Sequence, residues 1–437
     1  MIFNLPPIVG LFPLLMYIVL LLIGVKGLEL VSVTFLSAVV AAVLTMQTPT
    51  SFANEIVAGL GSFLGMIGFI VIMGAALGKI LTKTGVAQTF VHFILNTIGI
   101  STQRRAMLAI MVAAGGLTTI MGTSNGVLAI LAPIIIPVCA SLGFTRNSVG
   151  VLMHGAAAVG LFLGPFTPPT VTTMQLSGLT YGAYLINVAI PISVLIWLST
   201  FFMVQRIQKQ TAKDSKNFYT AEEYDTKLEY KPTAQSKRST LVFLAVIVAC
   251  VVYGVFVKSG AAFAIFVEIF AGVAVAISVK MPPKEYVNNM VEGASSMIRL
   301  FICFVLCNVM VTYVGQTGAF EAVADLMLPL AQHSGAFIFS MVSTLIGVFG
   351  ISGAAVAQEQ IMEAMFRPTV DMLSLPKEIW GIILLVGSQV TSFVIPGGDI
   401  YAPMSLAHSE DVKSMLKNGY VIALLTISYV AIRALLI

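Results

Sequence analysis

Twelve apolar stretches follow one another along this sequence, and two of them, 105–143 and 336–373, are interrupted near their middles by small and polar residues. The interruptions read Gly122-Thr123-Ser124-Asn125-Gly126 and Gly350-Ile351-Ser352-Gly353. An apolar run of roughly 20 residues is what a helix needs to cross a bilayer. A bilayer accepts irregular backbone at its centre only where protein or a wet cavity shields it. Each interrupted stretch is therefore expected to enter the membrane, turn at the break and leave by the same face. Composition agrees with a membrane setting, because 58% of the 437 residues are apolar and 10% charged, against about 45–50% and about 25% in a soluble domain. The expected fold is an all-α polytopic membrane protein: two inverted repeats, with ten transmembrane helices at 8–25, 28–47, 59–81, 148–170, 183–205, 240–257, 261–279, 289–314, 378–396 and 416–436, plus two re-entrant hairpins. The run 9–25 has no basic leader and no small-residue cleavage site, so it reads as a retained span.

The one long hydrophilic segment, 206–238, divides the chain into an N-terminal repeat, 1–205, carrying hairpin 105–143, and a C-terminal repeat, 239–437, carrying hairpin 336–373. Landmarks recur in one order across the divide. Gly59-Leu60-Gly61-Ser62 returns as Gly293-Ala294-Ser295-Ser296, Thr84-Gly85 as Thr317-Gly318, Gly122-Thr-Ser-Asn loosely as Gly350-Ile-Ser-Gly, and Pro165 as Pro396. Five spans and a hairpin per half force the second half to run through the membrane upside down. That is the inverted-repeat pattern of secondary transporters, whose sites form near the midplane where broken helices meet. Charge placement supports the threading: with 206–238 cytoplasmic, 18 of the 23 Lys and Arg residues fall inside and four outside, with Arg299 within a span. The chain is expected in the cell inner membrane with both termini outside. The first hairpin is then expected to enter from the cytoplasm and the second from the opposite face. Segments 86–99 and 319–331 are expected as helices along the interface, and 206–238 as a solvated tether.

Polar residues at the breaks are the candidate site. At Thr123, Ser124, Asn125 and Gly126 one helix ends and another begins, so unpaired N–H groups and a positive dipole end face whatever binds there, which suits a carboxylate. Hydroxyl and amide oxygens at Ser124 and Asn125 also suit sodium, although Ser, Thr and Asn equally serve as helix caps. Ser352 and Gly353 are the counterparts in the second half. The span ends Gly164-Pro165-Phe166-Thr167-Pro168-Pro169-Thr170 and Ile395-Pro396-Gly397-Gly398-Asp399 free backbone groups at matching points, which brings Thr167, Pro168, Gly397 and Gly398 into the expected substrate site. Glu359, Asp399 and His154 are candidates for ion coupling, since an acid inside a span is costly without a function or a partner and histidine titrates near neutrality. His154 alone on its span reads equally as a packing residue, and Arg299 as a residue that snorkels to the interface. Glu268, alone in an apolar span, is expected to need a partner such as Asn308 or Gln389.

Other chemistries fail on required residues. Cys139, Cys250, Cys303 and Cys307 all lie in apolar runs without the His or second Cys pair a metal site needs, so no metal and no cofactor is expected. A serine intramembrane protease would want Gly-x-Ser-Gly, but Asn125 follows Ser124; an aspartyl type would want Gly-x-Gly-Asp, but Pro396 takes the first position. No phosphate-binding loop is present, and the bases form no nucleic-acid patch. The chain is not expected to be an enzyme.

The run Gly61-Ser-Phe-Leu-Gly65-Met-Ile-Gly68 through Gly74, Gly78-Lys79 and Thr84-Gly85-Val-Ala-Gln88 resembles the first-half signature of the gluconate/proton symporter family. His154-Gly155 through Pro165 and Pro168-Pro169-Thr170 is similar to that family's proline-rich span end, and Gly387-Ser388-Gln-Val-Thr-Ser392 with Asp411-Val412-Lys413 to its C-terminal segment. Within the wider ion-transporter superfamily, Thr123-Ser124-Asn125 resembles the Ser-Asn-Thr tip of the divalent anion/sodium symporters, while Ser352-Gly353 lacks the Asn. The resemblance implies proton- or sodium-coupled symport of a small organic carboxylate by a homodimer or other homo-oligomer. A sodium/proton antiporter of the same superfamily is the alternative.

Overall fold

Capping residues set where many of the helices start. Thr48, Ser62, Thr102 and Thr145 each accept a hydrogen bond from the backbone N–H three residues on, which satisfies one of the donors that every helix start leaves free. In the computed structural model, which describes residues 6–23, 29–220, 230–257, 259–350 and 354–436, the first half runs through a 3-10 turn at Pro7–Leu11 and ten helices. These are α1 (Phe12–Ile23), α2 (Leu30–Leu44), α3 (Pro49–Leu60), α4 (Phe63–Lys83), α5 (Val86–Ile98), α6 (Gln103–Met121), α7 (Ser124–Ser141), α8 (Arg146–Leu163), α9 (Pro168–Ser177) and α10 (Tyr181–Thr211). The second half follows with α11 (Ala234–Val257), α12 (Phe263–Ser278), α13 (Pro283–Ser295), α14 (Ile298–Gln316), α15 (Ala319–Val348), α16 (Ala355–Met372), α17 (Lys377–Val394), α18 (Gly398–Leu406) and α19 (Val412–Leu435).

Among the described residues eight helices are long and apolar enough to cross a membrane, or nine with the bent pair α8–α9 counted as one span. Each of the ten expected spans contains a helix, but α1, α2 and α12 are only 12, 15 and 16 residues long. The expected span 289–314 starts instead at Ile298. Ser296 and Met297 bond back to Gly293 and Ala294 in a turn, leaving α13 as a separate helix. The expected segment 319–331 lies in the first of two helical stretches of α15, which Gly335 (φ 71°, ψ −176°) separates from the hairpin limb. Segment 206–238 is tied down in part. The Tyr219 hydroxyl donates to the Ala407 carbonyl at 3.0 Å, and that of Tyr230 to the Gly85 carbonyl at 3.0 Å.

The landmarks shared by the two halves land on equivalent elements. Gly85 and Gly318 both adopt left-handed backbone, at φ 71° and 75°, immediately before α5 and α15, a conformation glycine takes without the strain of a Cβ. Pro165 and Pro396 both lie in the gaps of broken spans, α8–α9 and α17–α18.

These broken spans run antiparallel. The start of α8 meets the far end of α18, where Ser409 donates to Asn147 at 2.7 Å. Its middle meets the end of α17, where the His154 and Phe393 rings stack with centroids 4.3 Å apart. Beyond the end of α9, a Cβ on Gly178 would lie 3.3 Å from the Lys377 ammonium at the start of α17. Buried Val, Ile, Leu and Phe from both spans fill the core between them.

Candidate functional site

Helices α6 and α7 form a closed hairpin. At its base the Gln103 amide donates to the Leu142 carbonyl at 2.8 Å. Glycines let its first limb press on α8: a Cβ on Gly160 would fall 2.3 Å from the Gly115 carbonyl oxygen, and one on Gly164 2.5 Å from that of Thr119. The limb ends at Gly122 (φ 67°), and the tip lies beside Pro168, whose Cδ is 3.9 Å from where a Gly122 Cβ would be. The tip therefore stops level with the α8–α9 break, while α9 continues for ten residues past it. Each limb is by itself long and apolar enough to cross a membrane. The base of the second hairpin lies at the other end of the same span, where Arg367 of α16 donates to the Leu176 carbonyl at 2.6 Å.

The same tip meets the second break. The Asn125 side chain lies near the Asp399 carboxylate. Backbone at Ile395 and Gly397 is extended, and α18 starts at Gly398. Asn125, Pro396 and Gly398 are exposed, and Thr123, Ser124 and Asp399 half-buried. Four helices, α7, α9, α16 and α18, begin around these breaks, and none has a side-chain cap. Thr123 occupies the cap position of α7 without bonding its first turn, so the simple capping explanation of Thr-Ser-Asn does not hold here. Helix α9 starts Pro168-Pro169, which contribute no N–H. It adds the dipole field, while α7 and α18 add donors.

Glu359, one turn into α16, is fully buried. It accepts from the Thr173 hydroxyl of α9 at 2.9 Å and the Ser388 hydroxyl of α17 at 2.9 Å. Beside it the Gln358 amide donates to the carbonyl of Gly347 and to that of Gly387, the latter at 2.6 Å. Ser388 belongs to the run that resembles the symporter family's C-terminal segment, whereas Thr173 and Gln358 did not stand out in the sequence; a polar residue every turn of α9 was the available signal for Thr173. Glu268 of α12 is buried, but not against its expected partners. Asn308 lies by Gly59 on α3, and Gln389 donates toward Ser388. Glu268 instead faces the backbone at Gly74 and Met121.

The structure thus gathers Thr123, Ser124, Asn125 and Gly126 with Thr167, Pro168, Gly397, Gly398 and Asp399. Ser352 and Gly353 lie outside the described residues. Thr167 is buried and donates its hydroxyl to the Leu161 and Gly164 carbonyls, at 2.5 and 2.9 Å, so it shapes the break and has no hydroxyl proton left for a ligand. His154 packs face to face on Phe393, away from the hairpin tip. Arg299 is exposed and pairs with Glu29 at 3.0 Å. The four cysteines are buried free thiols.

A family model described as citrate transporter (CitMHS) matches residues 17–357. A putative amino acid transporter, YuiF of Bacillus subtilis, is 32% identical over 98 residues, covering 22% of each chain. The Gnt-II system L-idonate transporter of Escherichia coli is 30% identical over 154 residues, covering 35% of this chain and 34% of its own length. The matched segments thus span about a quarter to a third of these curated relatives. Among solved structures, MtrF of Neisseria gonorrhoeae, described with a class of antimetabolite efflux pumps, superposes with a TM-score of 0.62 at 16% identity, covering 98% of this chain and 95% of that one. The matching family and these relatives are membrane transporters, not enzymes, and they do not single out the gluconate/proton symporters.

Proposed function

This chain belongs to the CitMHS family of citrate transporters, and we propose that it is a cation-coupled symporter of a small organic carboxylate in the inner membrane. The observation that carries this reading is the first hairpin tip, an uncapped helix start wedged between the starts of α9 and α18. Each helix N-terminus presents roughly +0.5 of an elementary charge. Several together offset a carboxylate without a fixed lysine or arginine, and none of the residues at the tip is basic. The N–H groups of Ser124, Asn125 and Gly126 receive the carboxylate, and Asn125 adds a side-chain donor. Asp399, half-buried beside it, accepts from a hydroxyl or amino group next to that carboxylate. Citrate, idonate and amino acids, the molecules named for the family and the relatives, share this pairing of carboxylate and neighbouring hydroxyl or amine. The two broken spans and two hairpins supply the midplane site and the moving parts of alternating access.

Currents from proteoliposomes on a solid-supported membrane test this reading, with jumps of citrate, gluconate, lactate, succinate and amino acids, with and without sodium. Current that requires one carboxylate together with a proton or sodium gradient is the expected result. Silence to every carboxylate, with sodium jumps alone moving protons, would make the protein an antiporter and overturn it.

A further inference from the structure

A small pocket that reaches the hairpin turn at Gly122 is lined by Glu268, Leu77, Thr119, Phe166 and Thr167 as well. The Glu268 side chain is 6% exposed, and its Oε2 has no hydrogen-bond partner. Its Oε1 lies 3.0 Å from where a Cβ on Gly74 would be, and the carbonyl oxygen of Met121 lies 3.2 Å from the same point. Met121 is the last residue of α6, so its carbonyl is among those a helix end leaves free, at the negative end of the dipole. A carboxylate and a helix C-terminus thus both lie beside one glycine, and neither brings a donor. The two hydroxyls lining the pocket are already committed: Thr119 donates to the Gly115 carbonyl at 2.9 Å and Thr167 to its own break. An ionised buried carboxylate without a donor is costly.

We propose that Glu268 is the proton-carrying acid of this transporter, whose protonated carboxyl donates to the α6 terminus at Met121. The proton enters from water on one side of the membrane, rides on Glu268, and leaves to water on the other. Ionisable groups on the packed elements are Lys79 and Lys83 of α4, Arg104 and Arg105 at the far end of α6, Lys237, Arg238, Cys250 and Tyr253 of α11, and Lys284, Glu285, Tyr286 and Glu292 of α13. Lys79 is taken by Glu292 and Arg238 by the Ser278 carbonyl. The Tyr286 hydroxyl, also without a partner, is 3.2 Å from a Cβ position on Gly272, one turn along α12 from Glu268. It is the next polar group on that face. The assignment rests on the proposed symport only for its consequence: the proton at Glu268 and the anion at the start of α7 act on the same Gly122 turn, so each alters the affinity for the other.

The test uses the full chain in lipid nanodiscs with no carboxylate substrate present. Difference infrared spectra across a pH step should show the C=O stretch of a protonated carboxylic acid, absent in Glu268→Gln and retained in Glu359→Gln. Gly74→Ala keeps every ionisable group and puts a methyl against Oε1, so it should move that band toward a free, unbonded acid. Identical spectra for wild type and Glu268→Gln would overturn the proposal, as would a Glu268 carboxylate that responds only to sodium. Because no substrate is used, failure to transport any carboxylate would sink the symport reading and leave this result standing.

Discussion

Replacing Asn125 by alanine separates binding from folding at the hairpin tip. The side chain is exposed and sits in the first turn of α7, near Asp399. Alanine is also the better helix former. The stability change should therefore stay within about 0.5 kcal/mol, as for other exposed positions. Binding should change far more, since the variant removes a neutral donor to a charged ligand, a bond worth about 1.5–3 kcal/mol. It also leaves the Asp399 carboxylate without its amide neighbour in front of an anion. At 1.4 kcal/mol per decade the expected rise in KM is roughly 10- to 150-fold. The backbone N–H groups remain, so transport at saturating substrate should persist. Uptake kinetics in proteoliposomes, with a melting curve on the same preparation, read both quantities. A KM within about twofold of wild type, in a protein that melts normally, would refute placement of the anion at this tip.

Gly398→Ala meets open space, with nothing within 4 Å of the new methyl, so it should melt like wild type yet raise KM by crowding the start of α18; uptake kinetics check this. Gly160→Ala is its opposite. Its Cβ would fall 2.3 Å from the Gly115 carbonyl, and overpacking of this kind costs about 1–3 kcal/mol, so both the melting temperature and transport should fall. Glu359→Leu strips the acceptor from Thr173 and Ser388 at about 1–3 kcal/mol for each hydroxyl left unpaired. It should melt well below Glu359→Gln, which keeps one carbonyl oxygen in place.

Much of this architecture was legible because its markers are backbone-breaking residues. Pro165 and Pro396 interrupt apolar runs, and the two breaks fall where they stand. Thr84-Gly85 and Thr317-Gly318 recur because the chain needs the same left-handed turn before α5 and before α15. Asn125 and Asp399 were each visible as polar residues at a break. Their pairing was not, because it depends on two spans passing each other in opposite directions, a relation that no local pattern records. The boundary between segment 319–331 and the hairpin limb falls at Gly335, where the backbone leaves helical geometry.

Glu268 shows the limit most sharply. The sequence marks it as an acid in need of a partner, and the natural search is among polar side chains on other spans, Asn308 or Gln389. The neighbours it has are a missing Cβ at Gly74 and a main-chain carbonyl at Met121, groups whose chemistry no residue type advertises. Yet this arrangement gives the hairpin tip two adjoining helix ends of opposite polarity. The N-terminus of α7 favours an anion, and the C-terminus of α6 favours a cation or a proton. The two helix ends are joined only by Gly122 and Thr123, so a ligand at either end shifts the turn that the other end uses. Coupling between proton and carboxylate then needs no direct contact between them, only a turn short enough that neither end moves alone.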